Sequence, residues 1–251
     1  MVRQKFKGFE YFLRLVDFYA RVIAERLVGL DSLDDNGKAG SLYDIGDYCF
    51  RLLVSRYSRG DAVSDMHNSV FQMTELLTLK CKTLASIQLG KDVRQMYERL
   101  DLGTLYESLS LLAFMVSLRF PVAEIRHVLE LIGHPGEDMM LDQVAHIFGD
   151  ASRKIAPQSK FPKVYKGLTD VIGAPPEQRP AQLKNFVEGW YRKMKPISWH
   201  NSHQGAEGAY FGYWCFEAAL IAMLFNIDDT AVLDHPNYPG DLTRNFRAGS
   251  G

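Results

Sequence analysis

Residues 208–220, GAYFGYWCFEAAL, bring five aromatic rings and one carboxylate, Glu217, into a stretch with no other charge. Continued to Phe225, the spacing predicts a helix starting near Glu207. Tyr210, Tyr213, Trp214, Glu217, Ile221 and Leu224 would share one face, and Phe211, Cys215, Ala218, Ala222 and Phe225 would cover much of the other. A helix apolar on all sides is a central one, and it calls for an all-α bundle around it. Glu217 would then sit deep in that helix, where an unpaired carboxylate costs several kcal/mol, so it must be paired, hydrogen-bonded or protonated. Arg56, Arg59, His200, His203 and the hydroxyls of Tyr210 and Tyr213 are partners of the right type. A general acid or base of raised pKa is the functional alternative, and it would need a second catalytic group that no motif nearby supplies.

Working outward, helical periodicity continues nearly everywhere. Phe6–Leu30 carries apolar residues at Phe9, Phe12, Leu13, Val16, Tyr19, Ala20, Ile23 and Leu27, and LDSLDDNGKAG reads as the loop that ends it. Helices are predicted over about 41–57, from Val63 to Gly90, and in GTLYESLSLLAFMVSLRF, which is apolar enough to be central. Pro121 is placed at a first helical position and Gly133 at the close of that helix. DMMLDQVAHIFG, PKVYKGLTDVIG and PAQLKNFVEGWYRKM follow as shorter helices between prolines. No run alternates long enough to be a strand. The expected architecture is an all-α, two-part helical bundle: a long-helix part over 1–120 and a shorter-helix part over 121–251. RAGSG, residues 247–251, reads as a disordered tail.

A hydrophobic content of 47% with 24% charged residues is that of a globular chain. No uncharged run is long enough to span a bilayer, and the N-terminal segment is charged throughout, unlike a secretory signal. Cys49, Cys81 and Cys215, without a CxxC pair, fit free thiols in a reducing cytoplasm. GxGxxG, GxxxxGK[ST] and GxSxG are all missing, so no cofactor is expected. The net charge of −1 hides an acid–base–acid pattern. Glu124–Asp150 holds six acidic residues and one basic, Arg153–Lys195 ten basic and three acidic, and His200–Leu242 six acidic and no Lys or Arg. These blocks either neutralise one another in the fold or present a field to a charged partner. The aromatics of the basic block fall where short amphipathic helices would bury them, and the flanking acids would repel phosphate, so nucleic acid is not an expected partner. In WHNSHQGAEG, the alternative reading is a metal-dependent hydrolase built from His200, His203 and Glu207 or Glu217, although Gly205 and Gly208 favour a loop and no HExxH is present.

The ordered series Trp199, His200, then YFGYWCFEAALIAMLFNIDD, then DHPNYPGDL resembles the C-terminal domain of the PoNe-immunity (PoNi) family. The matching elements are Gly212-Tyr213-Trp214, Phe216-Glu217-Ala218-Ala219, Asp228-Asp229, Asp234-His235-Pro236, Tyr238-Pro239 and Asp241-Leu242. LLVSRYSRGDAVSDM, residues 52–66, resembles the signature of that family's N-terminal domain. The resemblance implies a non-catalytic, cytoplasmic, all-helical protein that binds and blocks a cognate bacterial toxin, notably a DNase delivered by type VI secretion. No metal or cofactor and no membrane association are implied, and homodimerisation stays open. A DNase presents a basic groove, which an acidic surface could occupy. Glu137, Asp138, Asp142, Asp228, Asp229 and Asp234 are the candidate acidic interface. Trp199, His200, Tyr213, Trp214, Glu217 and Asp241 are expected to be architectural, and Asp228, Asp229 and Asp241 could equally be helix caps or turn formers.

Overall fold

The structure, a computed structural model, describes residues 2–249. Among these it contains eleven α-helices and no strand, in agreement with the all-α reading. No single helix is long and apolar enough to cross a membrane. The chain forms two compact units, Met1–Arg99 with Asn201–Gly212, and Leu100–His200 with Tyr213–Gly251.

The first unit begins with α1 (Phe9–Gly29), whose Tyr11, Phe12, Leu15, Tyr19 and Ile23 form a buried stripe at helical spacing. That stripe packs on α2 (Asp35–Arg59), which in turn packs on α3 (His67–Ser86). LDSLDDNGKAG is not a loop throughout: only a short turn at Leu30–Ser32 precedes α2. The reason is a cap. The Asp34 side chain accepts from Gly37 N at 2.7 Å, an interaction worth about 1 kcal/mol. A Cβ at Gly37 would lie 3.0 Å from Asp34 Oδ1 and 3.1 Å from Leu33 Cβ, so the glycine makes room for the cap instead of breaking the helix.

At the other end of α2, Gly60 (φ 106°) takes the left-handed conformation that closes a helix, its N–H reaching the Tyr57 carbonyl. Asp61 then binds both preceding arginines, accepting from Arg56 Nε at 2.8 Å and from Arg59 Nε at 2.7 Å. Burial works against the Asp61 charge, but the two guanidiniums outweigh it and hold its carboxyl below the usual range. The RYSRGD run is thus a helix-ending device. A short turn, Val63–Met66, separates it from α3, which was expected to start at Val63. α4 (Lys91–Glu98), unannounced by periodicity, buries none of its residues. It is tied back by the Arg94 guanidinium, which donates to the carbonyls of Leu84 at 2.5 Å and Ile87 at 3.0 Å.

The second unit centres on α5 (Leu102–Ser117) and α10 (Phe216–Leu224), which pack together with Phe114 and Phe216 5.0 Å apart. Asp101 and Thr104 form a reciprocal capping box at the start of α5, at 2.9 and 2.8 Å. α6 (Val122–Leu131) starts one residue later than predicted, with Pro121 at the cap position, and Gly133 (φ 62°) follows its end. Then come α7 (Met139–Ile147), α8 (Pro162–Gly173) and α9 (Arg179–Lys193), with α8 and α9 packed as a pair. α11 (Gly240–Ala248) lies on α5 and α10. It includes Arg247 and Ala248 from the expected tail, whose last two residues lie outside the described region.

Candidate functional site

The central segment corrects the sequence reading. Residues 209–215 have no regular secondary structure, and α10 begins only at Phe216. A buried backbone outside a helix must find partners for its N–H and C=O groups beyond a helical ladder. In the first unit, the Tyr11 hydroxyl donates to the Tyr210 carbonyl at 2.9 Å and accepts from Tyr210 N at 3.2 Å. Ser58 Oγ donates to the Phe211 carbonyl at 2.7 Å. In the second, Tyr106 donates to the Trp214 carbonyl at 2.8 Å, Asn237 Nδ2 donates to the Tyr213 carbonyl at 3.0 Å, and Cys215 N donates to the Asn237 carbonyl at 2.7 Å. Gly212, at φ 124°, supplies a conformation that L side chains rarely adopt.

Glu217 therefore sits in the first turn of α10, not three turns in, and has no exposed surface. None of its expected partners reaches it. Arg56 and Arg59 belong to Asp61, His200 stacks on Tyr191 at 4.4 Å and His203 on Phe6 at 4.3 Å, and the Tyr210 hydroxyl meets Gln4. The partner is Trp190 of α9, whose indole N–H donates to Glu217 Oε1 at 2.6 Å. Oε2 makes no hydrogen bond, and neither does the buried hydroxyl of Tyr165, which acts weakly on the same carboxyl. With no cation beside it, desolvation dominates and pushes the Glu217 pKa up to about 8, against weaker lowering by its own N–H, Trp190 and Tyr165. Around Glu217, Trp199 packs against Tyr106, Trp190 and Tyr213 at 5.3, 5.8 and 5.6 Å. The cluster gives the indole of Trp190 an acceptor within a buried aromatic core.

The hydrolase alternative is not assembled. His200 and Glu217 belong to one unit, His203 and Glu207 to the other, where Glu207 bonds Arg14 at 3.4 Å. Among the described residues, no three His, Cys, Asp or Glu side chains are grouped to hold a metal.

The six candidate interface acids fall into different environments. Asp138, 1% exposed, caps α7 by accepting from Met140 N and Leu141 N at 2.9 and 3.2 Å, and its other oxygen accepts from Ser159 Oγ and Lys160 N at 2.7 and 2.9 Å. Asp142 has no exposed surface: it binds Arg153 Nε at 2.6 Å and accepts from Ala156 N and Gly136 N at 2.9 and 3.2 Å. Asp229 accepts from the Tyr238 hydroxyl at 2.7 Å and from Arg247 at 2.5 Å, and it too is buried. The expectation that these three are exposed is thus corrected: each has so many backbone or side-chain donors around it that burial is compensated. Glu137 is half-buried and bonded to Lys160 and His134 N. Partial burial opposes its charge, yet these two donors hold its pKa below the usual carboxylate range. Asp228 and Asp234 are exposed. Asp228 accepts from Thr230 Oγ1 and N, which lower its pKa, and Asp234 meets Arg244 at 3.0 Å, as Asp241 does at 3.1 Å. The Asp142–Arg153 and Glu137–Lys160 pairs show the acidic and basic blocks neutralising one another in part.

Sequence reasoning missed Trp190 and Arg153 as the partners that matter. A tryptophan on the buried face of α9 was the available signal for the first. Nothing local marked the second.

Residues 136–242 match a family model described as PoNe immunity proteins (PoNi), C-terminal, which is the family the sequence resembles. The fold is similar to that in the crystal structure of protein PA2201 from Pseudomonas aeruginosa, with a TM-score of 0.72 and 17% sequence identity over 100% of this chain and 92% of that one. At that identity the likeness is one of fold alone. No curated protein matches the chain.

Proposed function

We propose that this chain, which carries the C-terminal region of the PoNe immunity proteins at residues 136–242, is an immunity protein. It binds and inhibits a cognate antibacterial toxin with nuclease, specifically DNase, activity, delivered by type VI secretion, and protects the producing cell from within the cytoplasm. It acts by occupation, without turnover of its own. The family match is the observation that carries this reading. The acids that remain available to a basic toxin groove are Asp228 and Asp234 with Glu137 at the margin, since Asp138, Asp142 and Asp229 serve the interior.

Co-purification with the product of the neighbouring gene, followed by a DNA-cleavage assay, tests the proposal. A complex in which added chain abolishes cleavage is the expected result; no complex and no protection of cells expressing the neighbour overturns it. Asp228→Lys combined with Asp234→Lys should weaken inhibition about tenfold, mainly through slower association, with little change in Tm. Unchanged inhibition would remove these acids from the interface.

A further inference from the structure

The basic block surrounds an open groove of about 830 Å³ in the second unit, bounded by α8, α9 and the connection that precedes α8. Lys166 and Asp170, paired with each other at 2.7 Å, line it from α8, Gln182, Asn185 and Lys193 from α9, and Gln158 and Gln178 from the flanking connections, so the lining itself carries two positive charges and one negative. We propose that this groove is a docking site for an extended acidic peptide segment of a partner protein. The inference goes beyond the proposed function and does not rest on the partner being a nuclease.

Charge is the first support. Of the ten bases in Arg153–Lys195, six (Lys154, Lys163, Arg179, Arg192, Lys193 and Lys195) have no carboxylate partner among the described residues; Arg179 is spent on the carbonyls of Ala174 and Ile172, and all but Arg179 and Lys193 are exposed. Two of the block's three acids are already engaged, Asp170 with Lys166 at 2.7 Å and Glu188 with Lys184 at 3.8 Å. Lys163 lies one turn before Lys166 on the same side of α8, and so adds to the charge along one wall. The net field here is positive and local, and it attracts carboxylates.

Pre-positioning is the second. Lys193 is half-buried, its ammonium 5.4 Å from the centre of the Phe186 ring. A Cβ at Gly167 would lie 3.3 Å from that ammonium and 3.2 Å from Phe186, so the glycine in α8 opens the space in which the lysine sits. The charge is held at the wall of the groove by packing and cation–π attraction, with its hydrogen-bonding capacity toward an anion unspent.

The amides decide the class of ligand. Gln158, Gln178 and Asn185 are exposed and each offers a donor and an acceptor, and beside them Gln182 keeps its side-chain oxygen buried with no hydrogen bond. A peptide main chain, with alternating N–H and C=O groups, can answer both. Phosphate oxygens accept only, so a nucleic-acid backbone would leave the amide acceptors unsatisfied. Carboxylates on the lysines and main chain on the amides is the complementary arrangement.

The test uses the full chain and fluorescein-labelled hexaglutamate, read by fluorescence polarisation at low and physiological salt. Saturable binding is expected, weakened by salt. Lys166→Glu with Lys193→Glu should weaken it about tenfold or more, while Lys154→Glu, outside the lining, should change it less than about threefold. Gln182→Ala, which alters no charge, should weaken binding several-fold without changing the salt dependence. It also keeps the test decisive if the double variant unfolds, which circular dichroism would reveal. No binding at millimolar protein overturns the proposal. So does wild-type binding by Gln182→Ala together with equal displacement of the probe by tripolyphosphate or duplex DNA, which would mark a general polyanion surface.

Discussion

Glu217→Gln replaces a carboxyl by an amide of the same shape, and its effect can be worked from the site. The amide oxygen can still accept from Trp190, so that hydrogen bond is kept. What changes is the proton. In the native protein the Glu217 pKa is about 8, and in the unfolded chain it returns to its ordinary 4.5. Between these values the folded state binds a proton that the unfolded state has released, so stability falls as pH rises, by up to about 1.4 kcal/mol per pH unit. Below about pH 4.5 both states are protonated and the loss vanishes; above about pH 8 both are ionised and it has reached its limit. At pH 7 the accumulated loss is on the order of 3 kcal/mol. Glutamine does not titrate, so Glu217→Gln should match the wild type near pH 4.5 and exceed it by about 3 kcal/mol at pH 7. Urea unfolding at half-unit steps from pH 4.5 to 8, followed by tryptophan fluorescence, measures the difference directly. If the two proteins lose stability in parallel over this range, Glu217 is ionised in the fold, and the account of an unpaired, desolvated carboxyl is wrong.

Asp142→Asn removes the charge that Arg153 is buried against, and should cost about 3–5 kcal/mol in unfolding free energy, seen as a lower urea midpoint. Gly240→Ala would place a Cβ 2.5 Å from the Leu233 carbonyl oxygen, a backbone atom that cannot rotate away; a loss of about 1–3 kcal/mol is expected from the same titration. Burial pushes the Cys49 thiol up to about 12 and that of Cys215 well above its ordinary value. At pH 8 both should therefore react with a thiol reagent far more slowly than Cys81, which is only partly buried, and prompt labelling of all three in the native protein would contradict the burial.

Much of the fold was legible because its cause is local. The buried stripe of α1, the capped α5 and the proline-started α8 follow from residues within a turn or two of where they act. Residues 209–215 misled for the opposite reason. Apolar periodicity there is equally good for a helix, and the groups that hold the irregular backbone at Tyr210 and Trp214, the hydroxyls of Tyr11 and Tyr106, lie 199 and 108 residues away in sequence. The acids illustrate the same limit. Asp138 and Asp228 both accept from the backbone two residues on, but Ser159 and Lys160 return to cover the first and nothing covers the second. Local sequence announces a cap. Whether the cap is inside or outside depends on a segment that arrives later, and for a candidate interface that difference is the whole question.

The assignment of Asn201–Gly212 to the first unit bears on how the chain is made. Synthesis proceeds from the N-terminus, and at about 5–20 residues per second the interval between Arg99 and Gly212, 212 − 99 = 113 residues, takes on the order of ten seconds. Throughout that time the hydroxyls of Tyr11, Tyr19 and Ser58 lack the carbonyls of Tyr210, Gly208 and Phe211 that they serve in the finished protein. The first four helices emerge from the ribosome as an unfinished body. Their completion waits on a segment made only after the whole of Leu100–His200, the one that brings the carbonyls of Gly208, Tyr210 and Phe211.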